Sequence, residues 1–120
     1  MSRLALYLLG PPRVELDDQP VHLGRRKALA LLAYLAVERG SRRAEALPPA
    51  HSRDGLATLL WSEYDQRGAR GRLRRTLSSL SRAIGGERFA TDRETVGLNP
   101  EAELWLDVAQ FRQRLAACEV

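Results

Sequence analysis

The first part of the chain contains a short apolar run and then a short stretch in which polar and apolar residues alternate, patterns that are typical of short β-strands. The apolar run at residues 3–9 predicts a buried strand that ends at the Gly-Pro-Pro sequence of residues 10–12. Residues 13–16 predict a second strand, residues 17–20 a turn, and residues 21–23 a third strand. Three short strands with tight connections predict an antiparallel meander.

The apolar spacing becomes helical after this meander. Residues 25–39 predict a first helix, and Gly40 is a plausible C-terminal stop. Residues 41–51 predict a loop. Ser52 then predicts the N-cap of a second helix that runs through Trp61.

The most informative segment contains no acidic residue and covers residues 67–86. It predicts a helix at about residues 68–84, closed by two glycines. One face carries an apolar stripe that can pack on a core: Leu73, Leu77, Leu80 and Ile84. The remaining faces carry arginines and serines, with Arg75, Ser78 and Arg82 opposite the stripe, Arg72 and Ser79 flanking it on one side, and Arg74 on the other.

A hairpin pattern follows the basic helix. Residues 88–91 and 95–98 predict two strands around the turn at residues 92–94, and residues 104–106 predict another short strand. Asp107 predicts the N-cap of a last helix. The apolar positions predicted to lie roughly on one side of that helix are Val108, Phe111, Leu115 and Cys118.

The order of these elements is strands, helix, helix, basic helix and hairpin. It predicts an α+β fold, a winged helix-turn-helix with an N-terminal antiparallel three-stranded sheet, three helices and a C-terminal hairpin as the wing at about residues 87–98. Residues 1–106 are expected to form this domain, with residues 107–120 as a further C-terminal helix.

The amino-acid composition indicates the charge of the partner that this domain would bind. The 120 residues are 44% hydrophobic and 28% charged, which is typical of one globular domain. The formal net charge is +4 and the isoelectric point is about 10.0. A basic balance favours an anionic partner such as nucleic acid or a membrane surface.

Several kinds of chemistry find little support in the sequence. Cys118 is the only cysteine, so a disulfide framework is excluded, and a reducing cytoplasmic location without a membrane segment is expected. His22 and His51 lack metal-ligand spacing, so no metal or cofactor is predicted.

Glu63 and Asp65 lack the signature of a catalytic pocket, so we do not expect an enzyme. The ordinary interpretation of Trp61 and Trp105 is core packing.

Five segments of the chain together resemble the SARP-type (AfsR/DnrI/RedD-like) bacterial transcriptional regulators. They lie at residues 8–12, 26–36, 52–61, 69–77 and 105–111. The resemblance implies an OmpR/PhoB-like winged-helix DNA-binding domain. It also implies that residues 107–120 begin, or lead to, a helical bacterial transcriptional activation domain. Residues 41–50 are then an insertion between the first two helices.

The resemblance implies that the basic helix enters a DNA major groove. Arg75 and Ser79 are expected at base edges, and Arg70, Arg74 and Arg82 at phosphates. The expected DNA-binding residues are Arg70, Arg72, Arg74, Arg75, Ser78, Ser79, Arg82, Thr91, Arg93 and Thr95.

The resemblance also implies partners beyond DNA. The loop with Glu63, Tyr64, Asp65 and Gln66 is a candidate contact for RNA polymerase. The expected targets of this activator, associated with the nucleoid, are direct repeats in double-stranded DNA. The protein is expected to be a monomer in solution or a head-to-tail pair on DNA. Two other interpretations stay open: a winged-helix protein-interaction module without specific DNA binding, and an RNA-binding module, although the basic helix lacks the aromatic residues that RNA-binding surfaces use.

Overall fold

The computed structural model describes residues 3–41, 51–99 and 101–118, with the side chains of residues 39–41 and 118 outside the description. The chain divides into two compact units, Met1–His22 with Glu103–Val120 and Leu23–Ala102. Among the described helices, none combines the length and apolar character that a bilayer crossing requires.

The described residues form seven strands and four α-helices. In chain order these are β1 (Leu4–Tyr7), β2 (Arg13–Leu16), β3 (Gln19–Val21), α1 (Arg26–Ser41), β4 (His51–Ser52), α2 (Arg53–Leu60), α3 (Gln66–Ile84), β5 (Phe89–Thr91), β6 (Thr95–Leu98), β7 (Leu104–Leu106) and α4 (Asp107–Cys118). They confirm the α+β winged-helix prediction.

The sheet of the first unit has the strand order β3-β2-β1-β7. The predicted meander is present, with β1 antiparallel to β2 and β2 antiparallel to β3. However, β7 adds a fourth strand parallel to β1, so the sheet is not three-stranded. The first strand is also shorter than predicted, at Leu4–Tyr7.

The third strand begins two residues earlier than the predicted range of residues 21–23. Asp17 and Asp18 have φ angles of 52° and 67° and make the turn alone, a left-handed conformation that aspartate tolerates. Pro20 therefore lies within β3. This strand is at the sheet edge, where the missing N–H of proline leaves no ladder hydrogen bond unmade.

The prediction that Asp107 is the N-cap preceding the last helix was wrong. Asp107 is the first residue of α4, and its carboxylate accepts hydrogen bonds from the Leu8 N–H at 2.9 Å and the Leu9 N–H at 2.9 Å. It therefore joins the end of β1 to the start of α4. Tyr7 and the half-buried Trp105 pack nearby, with ring centroids 5.0 Å apart.

Described residues cover the predicted apolar side of the last helix only in part, and Val108 on this side is half-buried. Phe111 and Leu115 are 50% and 49% exposed. The side chain of Cys118, predicted to pack, lies outside the described part of the chain.

In the second unit, α1 buries the predicted face, made of Ala28, Leu31, Leu32, Leu35 and Ala36. The helix continues past Gly40 to Ser41, so Gly40 is not its terminator. The predicted loop and insertion fall mainly on residues 42–50, which lie outside the described residues.

The caps of α2 and α3 explain where both helices begin. The Ser52 hydroxyl accepts the Gly55 N–H at 2.9 Å, which confirms the predicted N-cap. The Asp65 carboxylate accepts the Gly68 N–H at 2.8 Å. Because Asp65 caps α3, the helix starts at Gln66 and not at residue 68 as predicted. Gly85, with φ of 100°, ends it.

The wing hairpin is present, with β5 antiparallel to β6. Its first strand begins at Phe89, because residues 86–88 form a 3-10 turn in which the buried Arg88 donates from Nε to the Ile84 carbonyl at 2.8 Å. The two-residue strand β4 pairs with β6 and places His51 opposite Val96. Sequence patterns did not predict this third strand.

We expect Asp107→Ala to destabilise the first unit by about 1–3 kcal/mol, because the N–H groups of Leu8 and Leu9 lose their carboxylate acceptor. Chemical denaturation and amide hydrogen exchange at Leu8 and Leu9 measure the effect. Glu101→Ala is the control, since it removes an exposed carboxylate for which no side-chain hydrogen bond to a described residue is found. Equal exchange rates at Leu8 and Leu9 in wild type and Asp107→Ala would contradict this role.

Candidate nucleic-acid interface

Burial of one face of α3 fixes which side chains the helix presents to solvent. The predicted stripe of Leu73, Leu77, Leu80 and Ile84 is 1–7% exposed. Thr76 and Ala69 extend the buried face. The helix packs on α1 and α2. Rotation of α3 about its axis would expose these apolar side chains, so its opposite face is held toward solvent.

That opposite face is strongly basic. α3 contains six arginines and no acidic residue. Its exposed residues are Gln66, Arg67, Arg70, Arg74, Arg75, Ser78 and Arg82, whereas Arg72 and Ser79 are half-buried. Sequence reasoning did not include Arg67, although it lies within the same acid-free segment.

The arginines of α3 differ in how they are held. The Arg72 guanidinium carbon lies 3.7 Å from the centroid of the Tyr64 ring, a cation–π stack. Arg70 Nε lies 3.2 Å from Asp54 Oδ1 in an exposed ion pair. Among the described residues, the Arg75 side chain has a long 3.3 Å hydrogen bond to the Gly71 carbonyl and no ion pair. We find no ion pair or hydrogen bond from the Arg74 side chain to a described residue.

Two adjoining concavities lie between α3 and the wing. Arg53 and Arg74 line both of them. The first also contains Ser78, Ser81, Arg82 and Thr91 among its lining residues, and the second contains Gln66, Arg67, Arg70 and Arg93. The structure therefore brings four of the predicted helix residues, Arg70, Arg74, Ser78 and Arg82, to one open groove with the predicted wing residues Thr91 and Arg93. The predicted contacts Arg72, Arg75 and Ser79 do not line this groove, and Thr95 is half-buried.

Arg53 braces the wing against α2, a role that sequence reasoning missed. Its backbone N–H donates to the Glu94 carbonyl at 2.8 Å, and its Nε donates to the Asp92 carbonyl at 2.8 Å. The signal in the sequence is only that an arginine follows the Ser52 cap. Nothing local indicates a contact with a turn some 40 residues away.

The wing tip is organised by Asp92. One of its carboxylate oxygens accepts the Glu94 N–H at 2.8 Å and the Thr95 N–H at 2.7 Å. These hydrogen bonds, that of Glu94 first, hold the pKa of Asp92 below its ordinary value of 3.8. Arg93 is exposed at this ordered tip.

Comparison with known proteins by sequence and by structure points to the same regulator. No protein-family model matches the chain. It is 36% identical over 85 residues to the transcriptional regulatory protein EmbR of Mycobacterium tuberculosis and Mycobacterium bovis, covering 71% of this chain and 20% of that protein. A solved structure of M. tuberculosis EmbR in complex with a low-affinity phosphopeptide matches with a TM-score of 0.70 and 29% identity, covering 98% of this chain and 30% of that one.

EmbR is a SARP-family regulator with a winged-helix DNA-binding domain. The similarity to EmbR in sequence and in structure supports a SARP-type regulator. It spans about a fifth of the length of the curated relatives that it matches. The predicted family and winged-helix fold are confirmed.

Residues 63–66, predicted as a loop, form a connector only in their first half. Glu63 and Tyr64 are exposed in the connector, but Asp65 is the cap of α3 and Gln66 is its first residue. All four predicted RNA polymerase contacts are exposed. Within the described residues no group of three His, Cys, Asp or Glu side chains is arranged to hold a metal ion.

Trp61 is buried, as predicted, and His51 packs edge-on against Tyr34 at 5.2 Å between ring centroids. His22 is exposed. These residues therefore act in packing or face solvent, and none of them lines the groove between α3 and the wing.

We expect the Glu94 and Thr95 amide resonances to titrate with a midpoint below 3.8, the ordinary pKa of aspartate. Because the folded pKa is lowered, the hydrogen bonds to Asp92 stabilise the wing tip above that ordinary pKa and are lost as the pH falls through the lowered value. An NMR pH titration measures the midpoint. Asp92→Asn should abolish this transition, and a wild-type midpoint at or above 3.8 would contradict the proposed geometry.

Proposed function

We propose that this SARP-type domain binds double-stranded DNA sequence-specifically and serves a bacterial transcription regulator, an activator. In the proposal, residues 68–84 of α3 lie in the major groove, and the wing, residues 87–98, lies on the backbone or in the minor groove. The observation that carries the proposal is the exposed, acid-free face of α3, with its arginines held outward by burial of the opposite stripe.

The dimensions of α3 suit a major groove. The groove of B-DNA is about 12 Å wide and an α-helix with side chains is about 10–12 Å across. Arginine forks match the N7 and O6 acceptors of guanine, and serine hydroxyls can meet bases or phosphates. Within the described part of the chain the Arg75 guanidinium is held by one long bond inside its own helix, so it can turn toward a base edge.

The remaining predicted contacts take supporting roles in this proposal. Arg70, Arg74 and Arg82 bind phosphates, and Arg93 binds a phosphate or enters the minor groove. The Arg70–Asp54 ion pair is exposed and contributes little free energy, so Arg70 can exchange the carboxylate for a DNA phosphate at a small free-energy cost. The other proposed contacts are Arg72, Ser78, Ser79, Thr91 and Thr95, of which Ser78 is more exposed than Ser79.

The regulatory context is also proposed from the family. Glu63, Tyr64, Asp65 and Gln66 form the RNA polymerase contact. The domain binds direct repeats in the cytoplasm, on the nucleoid, and is a monomer in solution or a head-to-tail pair on DNA. Residues 1–106 form the DNA-binding domain and residues 107–120 lead to an activation domain. No enzymatic activity is part of the proposal.

The protein-interaction alternative predicts a different surface on α3. Protein-docking surfaces are depleted in charge at their centre and enriched in large apolar residues. The exposed residues of α3 are instead arginine, serine and glutamine. An RNA-binding surface would carry stacking aromatics, and α3 has none.

We expect selection from a randomised duplex pool to enrich a short, directly repeated motif. Arg75→Ala should lower affinity for that motif by about 1–3 kcal/mol, roughly 5- to 160-fold, while changing binding to a scrambled duplex far less. Arg93→Ala should weaken both duplexes by a similar factor, because phosphate contacts do not read sequence. Fluorescence anisotropy at two salt concentrations measures these affinities.

Arg112→Ala is the matched control, since it removes an exposed arginine from α4. Salt-dependent binding without enrichment of a motif would overturn sequence-specific recognition and leave only nonspecific binding to DNA phosphates. Absence of binding at low salt would overturn DNA binding and favour the protein-interaction module.

A further inference from the structure

A second basic cleft lies beside α3, away from the wing. It is lined by the cations Arg25, Arg26, Lys27, Arg72 and Arg75, together with Trp61, Glu63, Tyr64 and Thr76. Five positive side chains therefore share one open cleft with a single carboxylate. Arg25, Arg26 and Lys27 are exposed, and sequence reasoning assigned none of them to DNA.

The cleft is on the opposite flank of α3 from the wing. With about 100° of rotation per residue, Arg70 and Arg74 lie on one flank of the exposed face and Arg72 and Arg75 on the other. Arg70 and Arg74 line the concavities shared with the wing, whereas Arg72 and Arg75 line the second cleft. The exposed face of α3 is thus bordered by cations on both sides.

The charges at the start of α1 do not stabilise that helix. The N-terminal end of a helix has a positive dipole, which favours acidic residues and disfavours cations. The 16-residue α1 has no acidic residue in its first turn. Arg26 and Lys27 stand there instead, and Arg25 immediately precedes the helix. Arg25 and Arg26 form no ion pair with a described residue. An anion from outside the chain would compensate this concentration of positive charge.

Two of the cations in the cleft are already positioned by neighbouring groups. Lys27 Nζ donates to the Leu60 carbonyl at the end of α2 and lies 6.0 Å from the centroid of the Trp61 ring. Arg72 is stacked on Tyr64. Both side chains are held at the cleft wall before any ligand arrives, which lowers the entropy lost on binding.

We propose that this cleft binds the phosphates of the second DNA strand, with Arg25 and Arg26 as its main contacts. The inference rests on the proposed function, because a helix in the major groove has a phosphate backbone on each side. The wing-side groove would hold one backbone and the cleft at the start of α1 the other. An acidic protein surface is the competing occupant, and it makes no contribution to DNA affinity.

The test measures the salt dependence of DNA binding for the whole chain and for Arg25→Gln/Arg26→Gln, which leaves Lys27 and its bond to Leu60 intact. Each lost phosphate contact lowers the magnitude of the slope of log Kobs against log salt by about 0.9. We expect the double variant to lower it by about 1–2, with the same fold loss on selected and scrambled duplexes. Its thermal unfolding midpoint should be equal to or above that of wild type, because the helix end loses unfavourable charge.

Arg112→Gln/Arg114→Gln is the matched control. It removes the same net charge from exposed positions on α4 and should leave the slope unchanged. Ethylation interference adds a positional readout: in wild type, ethylation should interfere on both strands, and the double variant should lose the interference on one strand only.

The two proposals fail differently. If wild type selects a motif but Arg25→Gln/Arg26→Gln keeps the wild-type slope and interference pattern, the second phosphate site is overturned and the proposed function stands. An equal slope change in the α4 control would also overturn the site, because the effect would then be general charge. If wild type does not bind DNA at all, both proposals are overturned.

Discussion

The packing of the apolar stripe of α3 is the interaction on which the proposed interface depends. Leu73, Leu77, Leu80 and Ile84 lose nearly all their solvent exposure, and together they set the rotation of the helix about its axis. Each large side chain of this kind contributes about 1.5–3 kcal/mol when fully buried. The direction of the arginines is therefore not set by their own contacts, most of which are exposed and weak. It is a consequence of the core beneath them.

The second constraint is the fixed position of the wing relative to α2 and α3. Backbone and side-chain hydrogen bonds from Arg53, and the short pairing of β4 with β6, connect the hairpin to the start of α2. Asp92 then closes the tip on itself. Because helix and wing share one braced unit, the groove between them exists before a ligand binds. A phosphate backbone that entered it would meet cations already placed on both walls.

Local signals predicted most of the fold, and long-range contacts account for most of the errors. The period of the α3 stripe, the Ser52 cap and the hairpin around Asp92 each depend on residues close in sequence, so they could be predicted. The Asp65 cap was local as well, but it was assigned to a polar connector. By contrast, Asp107 contacts Leu8, β7 pairs with β1, and Arg53 reaches the wing, all across long sequence separations. The basic face was predictable from composition and spacing, whereas its division into two clefts required the position of α1.

Methylation interference on the selected duplex tests most directly whether α3 reads the major groove. Dimethyl sulfate methylates guanine N7 in the major groove and adenine N3 in the minor groove, so the two grooves are probed in one experiment. The account predicts that N7 methylation within the selected motif blocks binding, and that Arg75→Ala loses sensitivity at one guanine while keeping it at the others. Binding that tolerates N7 methylation throughout the motif would contradict major-groove reading by α3.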